Sequence, residues 1–248
     1  MKNIAHRGFS GKYPENTNIA FARAIELGAD MIELDVTLSK DKIPVVIHDD
    51  TLERTSNGKG KVRNVPLEKL KQLDFGSWMH SNFSEERIPT LEEVLKIIKK
   101  SKLGLNIEIK SSAFEKKISD SCIESQTLRL IDKYKLFNRI VISSFEPRIL
   151  LRLRELSSKV KLAYLIEPGY QKLKLDPIYF VTQVKAVSLN MHKSQIKTEI
   201  FSRAQERNIP VCVYTVNTLS ELKRMKDHEL AGVFTNFPDR LKKLTERK

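Results

Sequence analysis

Glu33 and Asp35 flank Leu34 in Met31-Ile32-Glu33-Leu34-Asp35-Val36, a stretch that otherwise reads as buried strand. Strand alternation puts both carboxylates on one face and Ile32, Leu34 and Val36 on the other. Two carboxylates side by side on an inward face repel each other and lose hydration, at roughly several kcal/mol each. A divalent cation removes that cost. His6, in Ala5-His6-Arg7-Gly8, and His48, in Val45-Val46-Ile47-His48-Asp49, fall on neighbouring strand candidates and point to proton transfer beside the metal. Glu108, in Leu105-Asn106-Ile107-Glu108-Ile109-Lys110, adds a third carboxylate at a strand end. All-oxygen ligation favours one hard cation, Mg2+ or Ca2+, over zinc.

Each feature has a plainer reading. A Glu-x-Asp pair also occurs at exposed strand ends or in salt bridges, here with Arg7 and Lys110, and a single strand histidine is commonly a satisfied core residue. Their coincidence is what argues for chemistry. Arg7 and Lys110 either neutralise the carboxylates or hold an anion, the guanidinium as a fork matched to phosphate oxygens and the ammonium as a point charge. A metal, two cations and two imidazoles meet the needs of phosphodiester cleavage: charge neutralisation, a nucleophile and a protonated leaving oxygen.

The elements that position these groups alternate from end to end. Strand candidates are 3–6, 31–36, 45–48, 105–110, 139–145, 161–166, 186–189, 210–216 and 232–235, with helical stretches at 18–27, 91–100, 114–133, 147–156, 194–207 and 220–226. Thr90 followed by Glu93 forms a capping box, and Gly28 suits a left-handed helix end. Strands separated by helices pair in parallel, and eight such units close an α/β (β/α)8 TIM barrel. The count is nine. The connector from Thr37 to Ile43 is too short for a parallel crossover, so 45–48 must fold back antiparallel, with a turn near Ser39 to Lys42 and His48 roughly opposite Glu33. Thr51 to Ile88 breaks the rhythm, with an Asn57-Gly58 turn, an amphipathic Leu67, Leu70, Leu73 piece and the one tryptophan, Trp78. It reads as a small insertion at the C-terminal face of the strands, and residues 1–248 read as a single domain.

Composition bounds the rest. At 248 residues with 40% hydrophobic and 30% charged content, the chain can bury one large core. No apolar run approaches the ~20 residues of a membrane span, so no stable membrane insertion is expected. His6 follows so soon after Met1 that no signal peptide is expected, and Cys122 and Cys212 form no disulfide framework; a cytoplasmic setting is the simplest expectation. The formal charge is +13, but the basic residues are dispersed and not interleaved with aromatics, which argues for a solvated surface with mild anion steering and against nucleic acid.

Taken in order, His6-Arg7-Gly8, Pro14-Glu15-Asn16-Thr17, Glu33-Leu34-Asp35-Val36, Val45-Val46-Ile47-His48-Asp49, Ile88-Pro89-Thr90-Leu91-Glu92-Glu93, Glu108-Ile109-Lys110, Ser143-Ser144-Phe145, Tyr214-Thr215-Val216-Asn217 and Phe234-Thr235-Asn236-Phe237-Pro238 resemble the glycerophosphodiester phosphodiesterase family over nearly the whole chain. The resemblance implies a barrel related to phosphoinositide-specific phospholipases C and cleavage of a small-molecule glycerophosphodiester to glycerol 3-phosphate and an alcohol. It matches Glu33, Asp35 and Glu108 to metal ligands, His6 and His48 to the acid/base pair, and Arg7 and Lys110 to phosphate contacts. Glu15 matches a family position near the metal, grouped here with the substrate-binding residues. Tyr214 stands where the family commonly has Trp, which leaves the alcohol or glycerol preference open.

Two other readings compete. A lysophospholipase D would need an apolar groove, for which only the insertion and the segment 165–180 are candidates. A catalytically inactive barrel used as a binding module would be expected to lack a ligand or a histidine, whereas all seven core residues are present. The insertion, through Phe75, Trp78 and Phe83, is expected to cover the barrel mouth and with Tyr214 to select the alcohol. The headgroup, the choice of cation, the oligomeric state, and whether water or the substrate's own hydroxyl attacks all stay open.

Overall fold

The protein is described from a computed structural model, for residues 1–169 and 175–246. Eight strands pair in parallel and close on themselves: β1 (Lys2–Ala5), β2 (Met31–Leu38), β4 (Gly104–Ile109), β5 (Ile140–Ser144), β6 (Lys161–Ile166), β7 (Ser188–His192), β8 (Val211–Tyr214) and β9 (Gly232–Thr235), with β1 bonded to both β2 and β9. This is the expected TIM barrel. The ninth strand, β3 (Pro44–Val46), lies antiparallel on β2 with Val36 opposite Val46. Its turn is where the sequence placed it, closed by the Ser39 N–H donating to Ile43 O, with Lys42 at φ 63°. The strand is shorter than expected. Continuing its register sets His48 across from Leu34, one residue from the expected Glu33, because the turn pairs Val46 with Val36.

The strands sort their side chains by alternation. Ile32, Leu34 and Val36 of β2, with Leu105, Ile107 and Ile109 of β4, join the main core between barrel and helices. Glu33 and Asp35 take the other face, where the β2–β4 register pairs Glu33 with Asn106 and Asp35 with Glu108. Polar residues fill much of the barrel interior, with Asn106 Nδ2 donating to Ser143 Oγ at 2.8 Å and Ser188 Oγ donating to Asn190 Oδ1 at 2.9 Å. A smaller apolar cluster of Ile4, Met31, Cys212 and Phe234 is separate from the main core.

Helices α1 (Asn18–Leu27), α3 (Leu91–Lys100), α4 (Ile123–Tyr134), α5 (Pro147–Leu156), α6 (Pro177–Gln183), α7 (Glu199–Glu206), α8 (Leu219–Lys226) and α9 (Pro238–Glu246) connect or follow the barrel strands. The capping box at Thr90 and the left-handed Gly28 are both present. Two expected helices start later than their patterns: 114–133 begins at Ile123, after a 3-10 turn at Ser111–Ala113, and 194–207 begins at Glu199. Side-chain pairing competes with the helix in the first case. Arg152 donates to the carbonyls of Glu115 and Lys116 and pairs with the buried Glu124 at 3.1 Å, holding the chain off α-helical geometry there. Helices α6 and α9 were not read from sequence, although Asp176 before Pro177 caps the first of them.

Residues 51–88 contribute no barrel strand. They hold a short helix, α2 (Leu67–Leu70), and an apolar cluster of their own, in which Leu52, Val62, Leu70, Phe75 and Ile88 pack on Val45 and Ile47. No helix among the described residues is long and apolar enough to cross a membrane. Part of the 165–180 segment lies outside the described residues.

These contacts rank two substitutions. Leu105→Ala empties a fully buried site and should destabilise by about 2–5 kcal/mol, whereas Thr90→Ala removes one cap and should cost about 1 kcal/mol. Urea denaturation followed by circular dichroism measures both; equal losses would contradict this account of the core.

Candidate active site

Chain geometry at the end of β1 aims the first groups. Arg7 has φ 56° and Gly8 φ 78°, so the chain turns sharply just past the strand. A side chain at Gly8 would meet the Ala20 carbonyl carbon at 2.7 Å, so glycine alone fits against α1. The turn points the Arg7 N–H at Glu33 Oε2, 2.9 Å away, and leaves Arg7 Nη1 on Glu15 Oε1 at 2.9 Å. Arg7 Nε lies 3.4 Å from Asp35 Oδ2 but makes no hydrogen bond, a buried donor without an acceptor.

Glu33, Asp35 and Glu108 come together as the spacing implied. They can each place one oxygen within 4.8 Å of the others, and the first two are almost fully buried. Lys110 Nζ donates to Glu108 Oε1 at 2.8 Å and to Asp35 Oδ1 at 3.4 Å, while Asn16 Nδ2 donates to Asp35 Oδ2 at 2.9 Å. Three carboxylates thus face two cations. Burial, then Asp35 and Glu108, push Glu33 well above its ordinary 4.5. Burial and Asp35 lift Glu108 to about 7. Burial also raises Asp35, but Lys110 and Arg7 outweigh it and hold this carboxyl below the usual range. A cluster of oxygens with one charge left over fits a hard divalent cation.

Both histidines flank the same cavity of about 410 Å3, at the C-terminal end of the barrel strands. His6 Nδ1 lies 2.7 Å from Asn236 Oδ1, and its Nε2 is 4.0 Å from Glu33 Oε2. Burial, then Arg7, push His6 down to about 4, so it is neutral near pH 7. His48 Nδ1 lies 2.6 Å from Asp49 Oδ1; burial lowers this imidazole too, against the pull of Asp35.

His6, Arg7, Glu33, His48, Glu108 and Tyr214 line the cavity, while Asp35, Lys110 and Glu15 stand behind that lining. Tyr214 is a wall rather than a donor. Its hydroxyl is taken by Ile166 O at 2.6 Å, and its ring meets Phe145 and His192 edge-on at 6.0 and 5.9 Å. The expectation that the insertion covers the mouth needs correction, because no residue of 51–88 is among the described residues lining the cavity. Phe75 is buried in the insertion's own cluster, Trp78 donates its indole N–H to Phe75 O, and Phe83 packs edge-on against Tyr13. Only Arg54 reaches from the insertion towards the site, pairing with Glu15 and Asp49.

Sequence reasoning gave no role to Asn16, Asp49, Arg54 or Asn236. Asn16 had a usable signal, since asparagine tolerates the left-handed backbone it adopts at φ 59°. Asp49 had one too, as a carboxylate adjoining a candidate histidine. Arg54 meets Glu15 across 39 residues and Asn236 meets His6 across 230, pairings that nothing local announces.

The opposite shifts of neighbouring carboxylates make a stability test. Glu33 sits above its ordinary 4.5, so its ionisation opposes folding, and the penalty grows as pH rises through that value. Asp35 sits below its ordinary 3.8, so its contribution is present above 3.8 and lost as pH falls further. In chelator at pH 7, Glu33→Gln should therefore raise the melting temperature and Asp35→Asn lower it, by about 2–4 °C per kcal/mol at this length. Calorimetry showing both shifts in one direction would contradict the charge balance described.

Known proteins resemble this chain over nearly its whole length. The family model described as "Glycerophosphoryl diester phosphodiesterase family" matches residues 6–240. A glycerophosphodiester phosphodiesterase of Caldanaerobacter subterraneus is 36% identical over 244 residues, covering 98% of this chain and 97% of that one. One of Bacillus altitudinis is 36% identical over 250 residues, covering 99% and 98%. Among solved structures, an Oleispira antarctica phosphodiesterase in complex with the product sn-glycerol-3-phosphate superposes with a TM-score of 0.84 at 29% identity, covering 98% of this chain and 96% of its own. The Thermotoga maritima glycerophosphodiester phosphodiesterase gives 0.75 at 27% identity, covering 98% of each chain. With the family's model spanning nearly all of its length, the chain belongs to the glycerophosphoryl diester phosphodiesterase family.

Proposed function

We propose that the chain hydrolyses small glycerophosphodiesters to glycerol 3-phosphate and an alcohol, with one divalent cation, Mg2+ or Ca2+, held by Glu33, Asp35 and Glu108. The observation that carries this reading is a cluster of three carboxylates, two of them lining a cavity that both imidazoles also line. The product bound to the Oleispira relative supports the glycerol phosphate half of the substrate. When bound, the cation neutralises charge on the phosphoryl oxygens and acidifies the attacking oxygen.

The chain's own groups do the rest. Arg7 lines the cavity and carries one positive charge to it, and Lys110 supplies a second beside Asp35 and Glu108. His6, neutral and backed by an amide oxygen, suits proton acceptance from the nucleophile. His48 is backed by the Asp49 carboxylate, which stabilises an imidazolium and suits it to protonate the leaving oxygen. The walls at Phe145, Leu165 and Tyr214 give a limited apolar surface, and about 410 Å3 suits a headgroup diester better than a long acyl chain.

Turnover of glycerophosphoethanolamine should be abolished by excess chelator and restored by Mg2+ or Ca2+, and kcat/KM should exceed that for lysophosphatidylcholine. Full activity in chelator would overturn the cation's role, and a clear lysolipid preference would favour the lipase reading. His6→Ala and His48→Ala should each lower kcat by roughly 10²-fold or more. A p-nitrophenyl leaving group, which needs no protonation, should restore much of the His48→Ala loss and little of the His6→Ala loss; the reverse pattern would exchange the two roles.

A further inference from the structure

Arg54 does not line the cavity, yet its guanidinium is the point where two supports of the site meet. Its Nε and Nη2 donate to Asp49 Oδ2 and Oδ1 at 2.6 and 3.0 Å, and its Nη1 and Nη2 donate to Glu15 Oε2 and Oε1 at 2.9 and 2.7 Å. Those carboxylates are the ones that touch the site. Asp49 Oδ1 is 2.6 Å from His48 Nδ1, and Glu15 Oε1 accepts from Arg7 Nη1 at 2.9 Å. The five residues come from two segments, the loop after β1 and the connection that runs from the end of β3 into the insertion.

We propose that Arg54 is a positioning residue, a single guanidinium that fixes His48 and Arg7 together through the carboxylates behind them. This rests on the phosphodiesterase reading above. A fork on each carboxylate fixes its orientation as well as its charge, which a lysine cannot reproduce. Pinned in this way, Asp49 keeps an acceptor on His48 Nδ1, so one ring proton stays there whether the imidazole is neutral or charged, and Nε2 is the atom that gives its proton to the leaving oxygen and is left bare afterwards. The Arg54 side chain is 44% exposed, so its pairs add little to stability and its effect falls on the reaction.

The test combines kinetics on the cation-loaded enzyme with proton–nitrogen correlation spectra of the His48 ring, assigned with His48→Gln. Arg54→Gln and Arg54→Lys should both melt near the wild-type temperature, lower kcat by ~10-fold or more with little change in KM, and replace the Nδ1-protonated ring by mixed tautomers. In an Asp49→Asn background, Arg54→Gln should cost less than it does in the wild type, because the two act through one imidazole. Wild-type kcat in Arg54→Gln, an undiminished cost beside Asp49→Asn, or an unchanged tautomer would each overturn the proposal. Should Arg54→Gln not fold, Arg54→Lys decides by the same measures. If the wild type cleaved no glycerophosphodiester, the functional reading would fail by itself, and the ring spectra would still decide the role of Arg54.

Discussion

Burying three carboxylates within reach of one another at the end of a parallel barrel is the constraint from which most of the local structure follows. Water screens them poorly there, so much of the compensation comes from groups built into the same strand ends. Lys110 follows Glu108 by two residues, as Asp35 follows Glu33, so the alternation that faces the acids inward brings a cation with them. Arg7 arrives from β1 on a left-handed turn that only a neighbouring glycine, pressed against α1, allows. Even so, two cations do not balance three acids, and burial together with that shortfall pushes Glu33 and Glu108 upward. The site is stable enough to exist and charged enough to want a further positive partner.

That tension explains why so much of the site was legible in sequence. A pair of carboxylates on one inward strand face departs from the apolar pattern expected of a buried strand, and the departure draws attention to that strand end. Glu33, Asp35 and Glu108 were singled out by that route, and the β2–β4 register brings Asp35 opposite Glu108. The barrel was legible for a related reason. Period-two runs separated by helical ones leave few topologies, and the short 37–43 connector identifies the one antiparallel strand.

What escaped was set by contacts between distant segments. His48 falls opposite Leu34 because the turn at 39–42 pairs Val46 with Val36, a register that chain length alone leaves open by one residue. The start of α4 is delayed by Arg152, which lies beyond that helix in the chain. The insertion was read as a cover because its aromatics looked available. In the fold Phe75 is consumed by the insertion's own cluster and Phe83 by Tyr13, which leaves the cavity walls to loops after β5, β7 and β8. Hydrophobic content signals that a segment packs, but not against what.

The central claim is that the acidic cluster is a cation site placed to meet a phosphate between two imidazoles. Anomalous diffraction from crystals grown with Mn2+ and glycerol 3-phosphate tests it most directly. The account predicts one metal peak bonded to oxygens of Glu33, Asp35 and Glu108, with a phosphate oxygen in its coordination sphere and His6 and His48 on either side of that phosphate. A phosphate bound in the cavity with the metal peak elsewhere, and Lys110 still the partner of Glu108 and Asp35, would contradict it.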